Sequence, residues 1–350
     1  MILMFKYLFL FAVVITSSCK REKAAVNPPP VVTDTGFTNP LLSSGPDPWV
    51  IQSDTNYYFT HTTGNNLVIY KTGKMSDLKN AVIKTIWSPP STGPYSKDIW
   101  APELHYLQNK WYMYFAADSG NNNSHRIYVL ENASADPMSD NWVLKGKVAD
   151  SSDKWAIDPT VFEYNNQLYM LWSGWQGNSN GEQDIYIAKM SDPLTISSGR
   201  VMISSPTYDW EKMGAPPTVN EGPEMLENKN RNLFITYSAS GCWTDNYCLG
   251  LLTLKPGGDP MNISDWIKTS SPVFSSLPSA GAFAPGHNSF FKSRDGTEDW
   301  LLYHANNSSG LGCGNSRSPR IQKFTWNADG SPHFGNPVNI NTIIKKPSGE

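Results

Sequence analysis

Several turns of this chain carry an acidic side chain just ahead of a short strand, and these are the first groups in it that could do chemistry. Asp47 stands in GPDPW, Glu103 in APEL, Asp158 in IDPT and Glu221 in NEGP, while His287 in PGHN takes the corresponding place in a fifth segment. Successive members of this set lie 55 to 66 residues apart. A carboxylate can take a proton from water, a carboxylic acid can give one to a leaving oxygen, and a neighbouring carboxyl can hold that acid protonated. The competing reading is that Asp and Asn simply favour turns. For a single copy that reading suffices. Several like charges brought to one place are costly, so convergence would point to use.

The surrounding pattern says how they converge. Each marked turn is followed by a strand, a polar turn and a second strand rich in Tyr, Trp and Phe. The segments begin at Gly45, Ala101, Ile157, Asn220 and Pro285. A third alternating stretch follows each: LVIYKT, HRIYVLEN, DIYIAKM, CLGLLTL and RIQKFTW. Period-2 runs such as KWYMYF and QLYMLW, bounded by Asn, Gly and Asp, predict strands, and no long stretch has helical periodicity. A repeat of this length with several short strands per copy predicts an all-β, single-domain β-propeller of five blades spanning residues 36–350. The innermost strand of each blade would line a central channel, so the marked residues would ring one mouth of it.

Residues 1–19 are set apart by composition. Lys6 precedes an apolar run from Tyr7 to Ile15, then small polar residues and Cys19. This reads as an export signal, too short to span a bilayer. Cys19 resembles a bacterial lipoprotein processing site, with the membrane reached only through an N-terminal lipid. Thr16 replaces the usual aliphatic residue, which leaves plain secretion as the alternative. Residues 20–35, charged and then proline-rich, read as a flexible tether. The expected location is an outer-membrane or cell-surface lipoprotein, or the periplasm.

With 28 basic and 31 acidic residues and no basic block, nucleic acid is excluded as the partner. Thirteen Trp and sixteen Tyr suit a surface that stacks on sugar rings, although a β-rich core also consumes aromatics. No CxxC pair or Cys/His cluster has zinc spacing. Cys242 and Cys248 are close in sequence and are the candidate disulfide, leaving Cys313 free. Trp100, Trp175 and Trp243 lie near turns and are candidates for stacking on a pentose ring, with Trp100 and Trp243 the leading pair. Glu224 follows Glu221 by an odd offset, which in an extended strand places it on the opposite face, in a structural role.

The ordered series GPDPW, WAPE, AIDPT, NEGPE and PGHNSF, from about Phe37 to Val338, resembles glycoside hydrolase family 43. The stretches SASGCWTDNYCLGLLT and RSPRIQKFTW look most like its arabinofuranosidase branch. The resemblance implies a five-bladed propeller that cleaves glycosidic bonds with inversion and needs no cofactor for the chemistry. It also implies the roles: Asp47 as general base, Glu221 as general acid, and Asp158 as the residue that tunes and orients the acid. An inverting pair should stand roughly 6.5–9.5 Å apart to leave room for water. Arg317 is implied to reach the site, with Arg320 as its rival. Glu103 is expected to line the pocket or orient a neighbour, and His287 to face a structural calcium ion in the channel, partly through water.

The expected reaction is exo-acting release of L-arabinofuranose from arabinan, arabinoxylan or arabino-oligosaccharides. A β-xylosidase or endo-arabinanase on the same scaffold is the alternative, and a non-catalytic, surface-held glycan-binding propeller is the alternative of another class. The expected partner is a plant cell-wall polysaccharide or oligosaccharide containing arabinose or xylose, met by a monomer.

Overall fold

A computed structural model describes residues 36–350, and the signal, Cys19 and tether read from the sequence lie outside them. Blade one holds β1 (Trp49–Ser53), β2 (Asn56–Thr60), β3 (Leu67–Thr72) and β4 (Val82–Trp87). Blade two holds β5 (Lys97–Leu107), β6 (Lys110–Asp118), β7 (Arg126–Asn132) and β8 (Val143–Val148). Blade three holds β9 (Ala156–Tyr164), β10 (Gln167–Gly174) and β11 (Glu182–Asp192), with the short β12 (Thr195–Ile196) and β13 (Val201–Ser204) at its outer edge. Blade four holds β14 (Thr218–Glu227), β15 (Leu233–Ala239), β16 (Cys248–Leu254) and β17 (Trp266–Lys268). Blade five holds β18 (Phe283–Lys292), β19 (Asp299–Asn306), β20 (Ser318–Trp326) and β21 (Pro332–His333). Blades one, two, four and five are antiparallel meanders, and in blade three both β12 and β13 pair with β11. A short parallel pairing of β11 with β14 links blades three and four, and the chain is a five-bladed β-propeller.

Five apolar clusters explain why the blades stay together, because each joins one blade to the next. Tyr58, Leu67 and Ile69 of blade one pack on Leu104, Trp111 and Met113 of blade two. Tyr112 and Val129 meet Val161 and Met170, and Tyr169 and Leu171 meet Ile235 and Tyr237. Leu249 and Phe234 meet Leu301 and Tyr303, and Trp300 and Ile321 meet Val50 and Tyr57, which closes the ring. The alternating pattern of the sequence thus feeds two interfaces per blade, one from each face of its sheet. Most of the tryptophans and tyrosines serve this packing.

The ring is also held shut by the segment before β1. Phe37 and Ile344 exchange backbone hydrogen bonds, the Leu41 N–H donates to Pro319 O at 2.8 Å, and the Gly45 N–H donates to Arg317 O at 2.9 Å. The last bond ties the turn that carries Asp47 to the backbone that carries Arg317.

One backbone device recurs at the head of the inner strands. Asp47, Ala101, Asp158, Gly222 and His287 all have positive φ, between 42 and 54°. In blades two to five, inner-strand residues three apart pair with neighbours only two apart. Trp100 and Glu103 face Ala116 and Tyr114, Ile157 and Thr160 face Ser173 and Leu171, Glu221 and Glu224 face Ser238 and Thr236, and Gly286 and Ser289 face His304 and Leu302. Each is a β-bulge, in which one extra residue re-aims the side chains beside it. Four of the five positive-φ residues carry a side chain, so backbone strain is concentrated around the channel mouth.

The bulge corrects two readings of the sequence. The equivalent position across blades is that of Asp47, Ala101, Asp158, Gly222 and His287. Glu221 sits one residue before it, in register with Trp100 and Ile157, and Glu103 sits two residues after it, in register with Glu224. The extra residue also breaks the parity rule, so Glu224 does not turn to the opposite face from Glu221. It is buried, and its carboxyl hydrogen-bonds that of Glu103.

Candidate active site

Asp47, Asp158, Glu221, His287, Arg317, Trp100 and Trp243 all line one pocket of about 410 Å³, at the channel mouth where the inner strands begin. This size suits a sugar-sized ligand. The wall also includes Trp155, Ile157, Gln183 and the cystine formed by Cys242 and Cys313.

Asp47 is held from several sides. Its N–H donates to His304 Nδ1 at 3.1 Å, and its Oδ1 accepts from Arg317 Nη1 at 2.6 Å and lies 3.3 Å from His287 Nδ1. Burial alone would raise its pKa, but Arg317, the two histidines and the Thr62 hydroxyl outweigh it and hold the carboxyl well below the usual range. Burial also keeps both histidines below their ordinary values, so Arg317 is the lasting cation facing Asp47. Asp47 is a carboxylate that stays ionised inside a protein wall.

Glu221 is in the opposite condition. Burial, aided by the Asp47 anion, pushes it up to about 7 against the opposing hydrogen bond from Tyr247, whose hydroxyl donates to Glu221 Oε1 at 2.8 Å. Asp158 lies beside it, with Oδ2 accepting the Gly222 N–H at 3.0 Å. Burial and Glu221 together raise Asp158 well above the carboxylate range. The two acids therefore hold on to protons as a pair at pH values where free carboxyls have lost them. One ionised and one protonated carboxyl across a single pocket is the arrangement that acid and base catalysis at a glycosidic bond requires.

The aromatic wall rests on a stack of rings. Trp100 lies on His125 with ring centroids 4.2 Å apart, and Trp155 lies on Trp175 at 4.5 Å and 8°. Both rings are buried, with Trp175 beneath the wall, and Trp155, which the sequence did not single out, is the one that lines the pocket. Trp243 is 43% exposed at the rim, its indole N–H bonded to Gly214 O at 3.0 Å.

Other expectations are relocated. Cys242 pairs with Cys313 rather than Cys248, and Cys248 is buried and free. Closeness in sequence misled here, because Cys248 opens β16 and its side chain lies in the sheet. Cys242 and Cys313 sit on the rim loops of two adjacent blades, which the fold brings together. The Asp245 carboxylate reinforces the same junction by accepting the Gly310 N–H at 3.0 Å. Arg320 is fully buried and serves the Asn306 and Asn307 backbone and side chain, leaving Arg317 as the pocket arginine.

Glu103 lies below the pocket wall, bonded to His105 Nε2 at 2.9 Å and to Glu224. Among the described residues no group of three or more His, Cys, Asp or Glu could hold a metal ion. His287 turns Nδ1 to Asp47, 3.3 Å from its Oδ1.

Glu224 allows a direct test of this buried acid cluster. Burial first, then Glu103, raise its pKa well above the usual value. The folded chain then keeps a proton that the unfolded chain releases above about pH 4.3. Stability contributed by this group is full below that value and falls as pH climbs toward the folded pKa. Glu224→Gln cannot ionise, so its thermal midpoint should drop less than that of the parent between pH 5 and 8. Equal drops in a calorimetric pH series would show that Glu224 titrates normally in the fold.

Residues 37–332 match glycosyl hydrolases family 43. The chain is 39% identical over 311 residues to an extracellular exo-α-(1→5)-L-arabinofuranosidase of Streptomyces avermitilis, covering 86% of this chain and 64% of that protein. It is 36% identical over 274 residues to the protein of the same description from Streptomyces chartreusis, covering 77% and 82%. Among solved structures, an α-L-arabinofuranosidase from Lactobacillus brevis superposes with a TM-score of 0.82 at 37% identity, covering 87% of this chain and 98% of that one. The chain thus spans slightly less than two thirds of the length of the Streptomyces avermitilis protein.

Proposed function

We propose that this chain, which belongs to glycosyl hydrolases family 43, is an inverting, exo-acting α-L-arabinofuranosidase. It releases L-arabinofuranose from arabinan, arabinoxylan or arabino-oligosaccharides. The observation that carries this reading is the opposed state of two pocket carboxyls: Arg317 holds Asp47 ionised, while burial pushes Glu221 up to about 7. Asp47 takes a proton from the attacking water, and Glu221 gives one to the departing oxygen. Asp158 shares the proton load with Glu221 and, through the Gly222 N–H, fixes the backbone beside it. Trp100 and Trp243 offer aromatic surface to the furanose and to the chain leaving it, and Trp155 backs the wall beside them.

The arabinose specificity draws its support from the Streptomyces and Lactobacillus relatives, whose descriptions name that activity. The extracellular description of the two Streptomyces relatives also supports export, and we propose that Cys19 carries the lipid that tethers the propeller outside the cytoplasm.

The test uses protein lacking residues 1–30, offered 4-nitrophenyl α-L-arabinofuranoside, the corresponding β-xyloside and linear arabinan. Arabinose should be released from the first and from chain ends of the third, with the β-anomer formed first by NMR. Binding without release would favour the glycan-binding alternative, and early appearance of long oligomers would favour an endo-arabinanase.

A further inference from the structure

We propose that Tyr247 positions the proton of the general acid: by giving its single O–H to Glu221 Oε1, it leaves the transferable proton on Oε2. This rests on the reading of Glu221 as that acid. Tyr247 lies in the loop between β15 and β16, and it is fully buried against the site. Its hydroxyl is 2.8 Å from Oε1. A phenol has one proton to give, and a carboxyl oxygen that accepts it is left as the unprotonated one. The acid proton is thereby confined to the other oxygen. Burial, with Glu221 nearby, raises the Tyr247 pKa well above its ordinary value, so the phenol remains a donor throughout the working range.

The ring is held as firmly as the hydroxyl. It stacks on His304 with centroids 5.9 Å apart and planes 6° from parallel. His304 Nδ1 accepts the Asp47 N–H, so the side chain that orients the acid leans on the one that anchors the base. Gly286 makes room for it, since a Cβ there would fall 2.2 Å from Tyr247 Cε1. As Glu221 gives up its proton, negative charge grows on the carboxyl that Tyr247 already touches. The hydrogen bond then becomes charge-assisted and strengthens toward the transition state.

The experiment is Tyr247→Phe, which keeps the stacked ring and removes the hydroxyl. Hydrogen bonds to charged groups are worth about tenfold or more in rate or equilibrium. The alkaline limb of kcat/KM should therefore move upward by roughly one pH unit, because a stabiliser of the Glu221 anion is gone. Release from an arabino-oligosaccharide should fall about tenfold or more, while release from the 4-nitrophenyl glycoside, whose leaving group needs little protonation, should fall much less. The limb position is independent of how much enzyme is folded. An unmoved limb, or equal losses on the two substrates, overturns the role of Tyr247. Failure of the underlying reading would look different: Glu221→Gln would then keep its activity on the oligosaccharide.

Discussion

Glu221→Gln is expected to lower kcat on arabino-oligosaccharides by about a thousandfold, within the range that general acids contribute. The amide has the size of the acid and can still accept the Tyr247 hydroxyl at its oxygen, so the pocket should keep its shape. What it lacks is a proton that can be transferred. The loss should be smaller on the 4-nitrophenyl glycoside, because that leaving group departs readily as an anion. The pH profile gives a second signature. Burial and Asp47 push Glu221 up to about 7, so the parent enzyme should lose kcat/KM above that value as the donor ionises. The variant should show no such limb. Steady-state rates from about pH 4 to 9 on both substrates test the point. A variant within a few fold of the parent on the oligosaccharide would remove Glu221 from the acid role.

The blades were legible because period-2 patterning and aromatic strands repeat with the chain, and the same repetition led to the pocket. The position of Glu221 was legible only through its motif. Repeat counting set it level with Asp158, whereas the bulge at Gly222 places it one residue earlier. A bulge leaves no trace in an alternating pattern, since it is one residue inserted where the turn and the strand meet. The same insertion sent the parity argument for Glu224 to the wrong face.

Tyr247, His304 and Trp155 escaped notice for another reason. They come from a rim loop, a second strand and an entry loop, where the repeat marks no acidic or histidine position. The cystine between Cys242 and Cys313 joins residues 71 apart, and only the meeting of two blades makes them neighbours. Long-range closure of this kind depends on how the blades pack, which local spacing does not encode.

Asp47→Asn should be at least as costly as the change at Glu221, on the order of ten-thousandfold in kcat, and on every substrate alike. Water must lose a proton as it attacks whatever the leaving group, so the good departure of 4-nitrophenol gives no relief here. The substituted amide would keep a carbonyl oxygen for the Arg317 bond of 2.6 Å, which limits the disturbance to the loss of charge. That loss has a second consequence. The Asp47 anion is one of the influences that raise Glu221, so its removal should lower the Glu221 pKa and draw the alkaline limb of the residual activity below about 7. Asp47→Ala opens space for a small anion that needs no base. Azide should then restore release of 4-nitrophenol and yield the β-arabinofuranosyl azide, with the configuration inverted. If azide does not restore the rate, or if the azide product keeps the α configuration, water is activated elsewhere in the pocket. The pairing of Asp47 with Arg317 would then serve to hold the sugar, and the base would have to be sought among the other groups that face it.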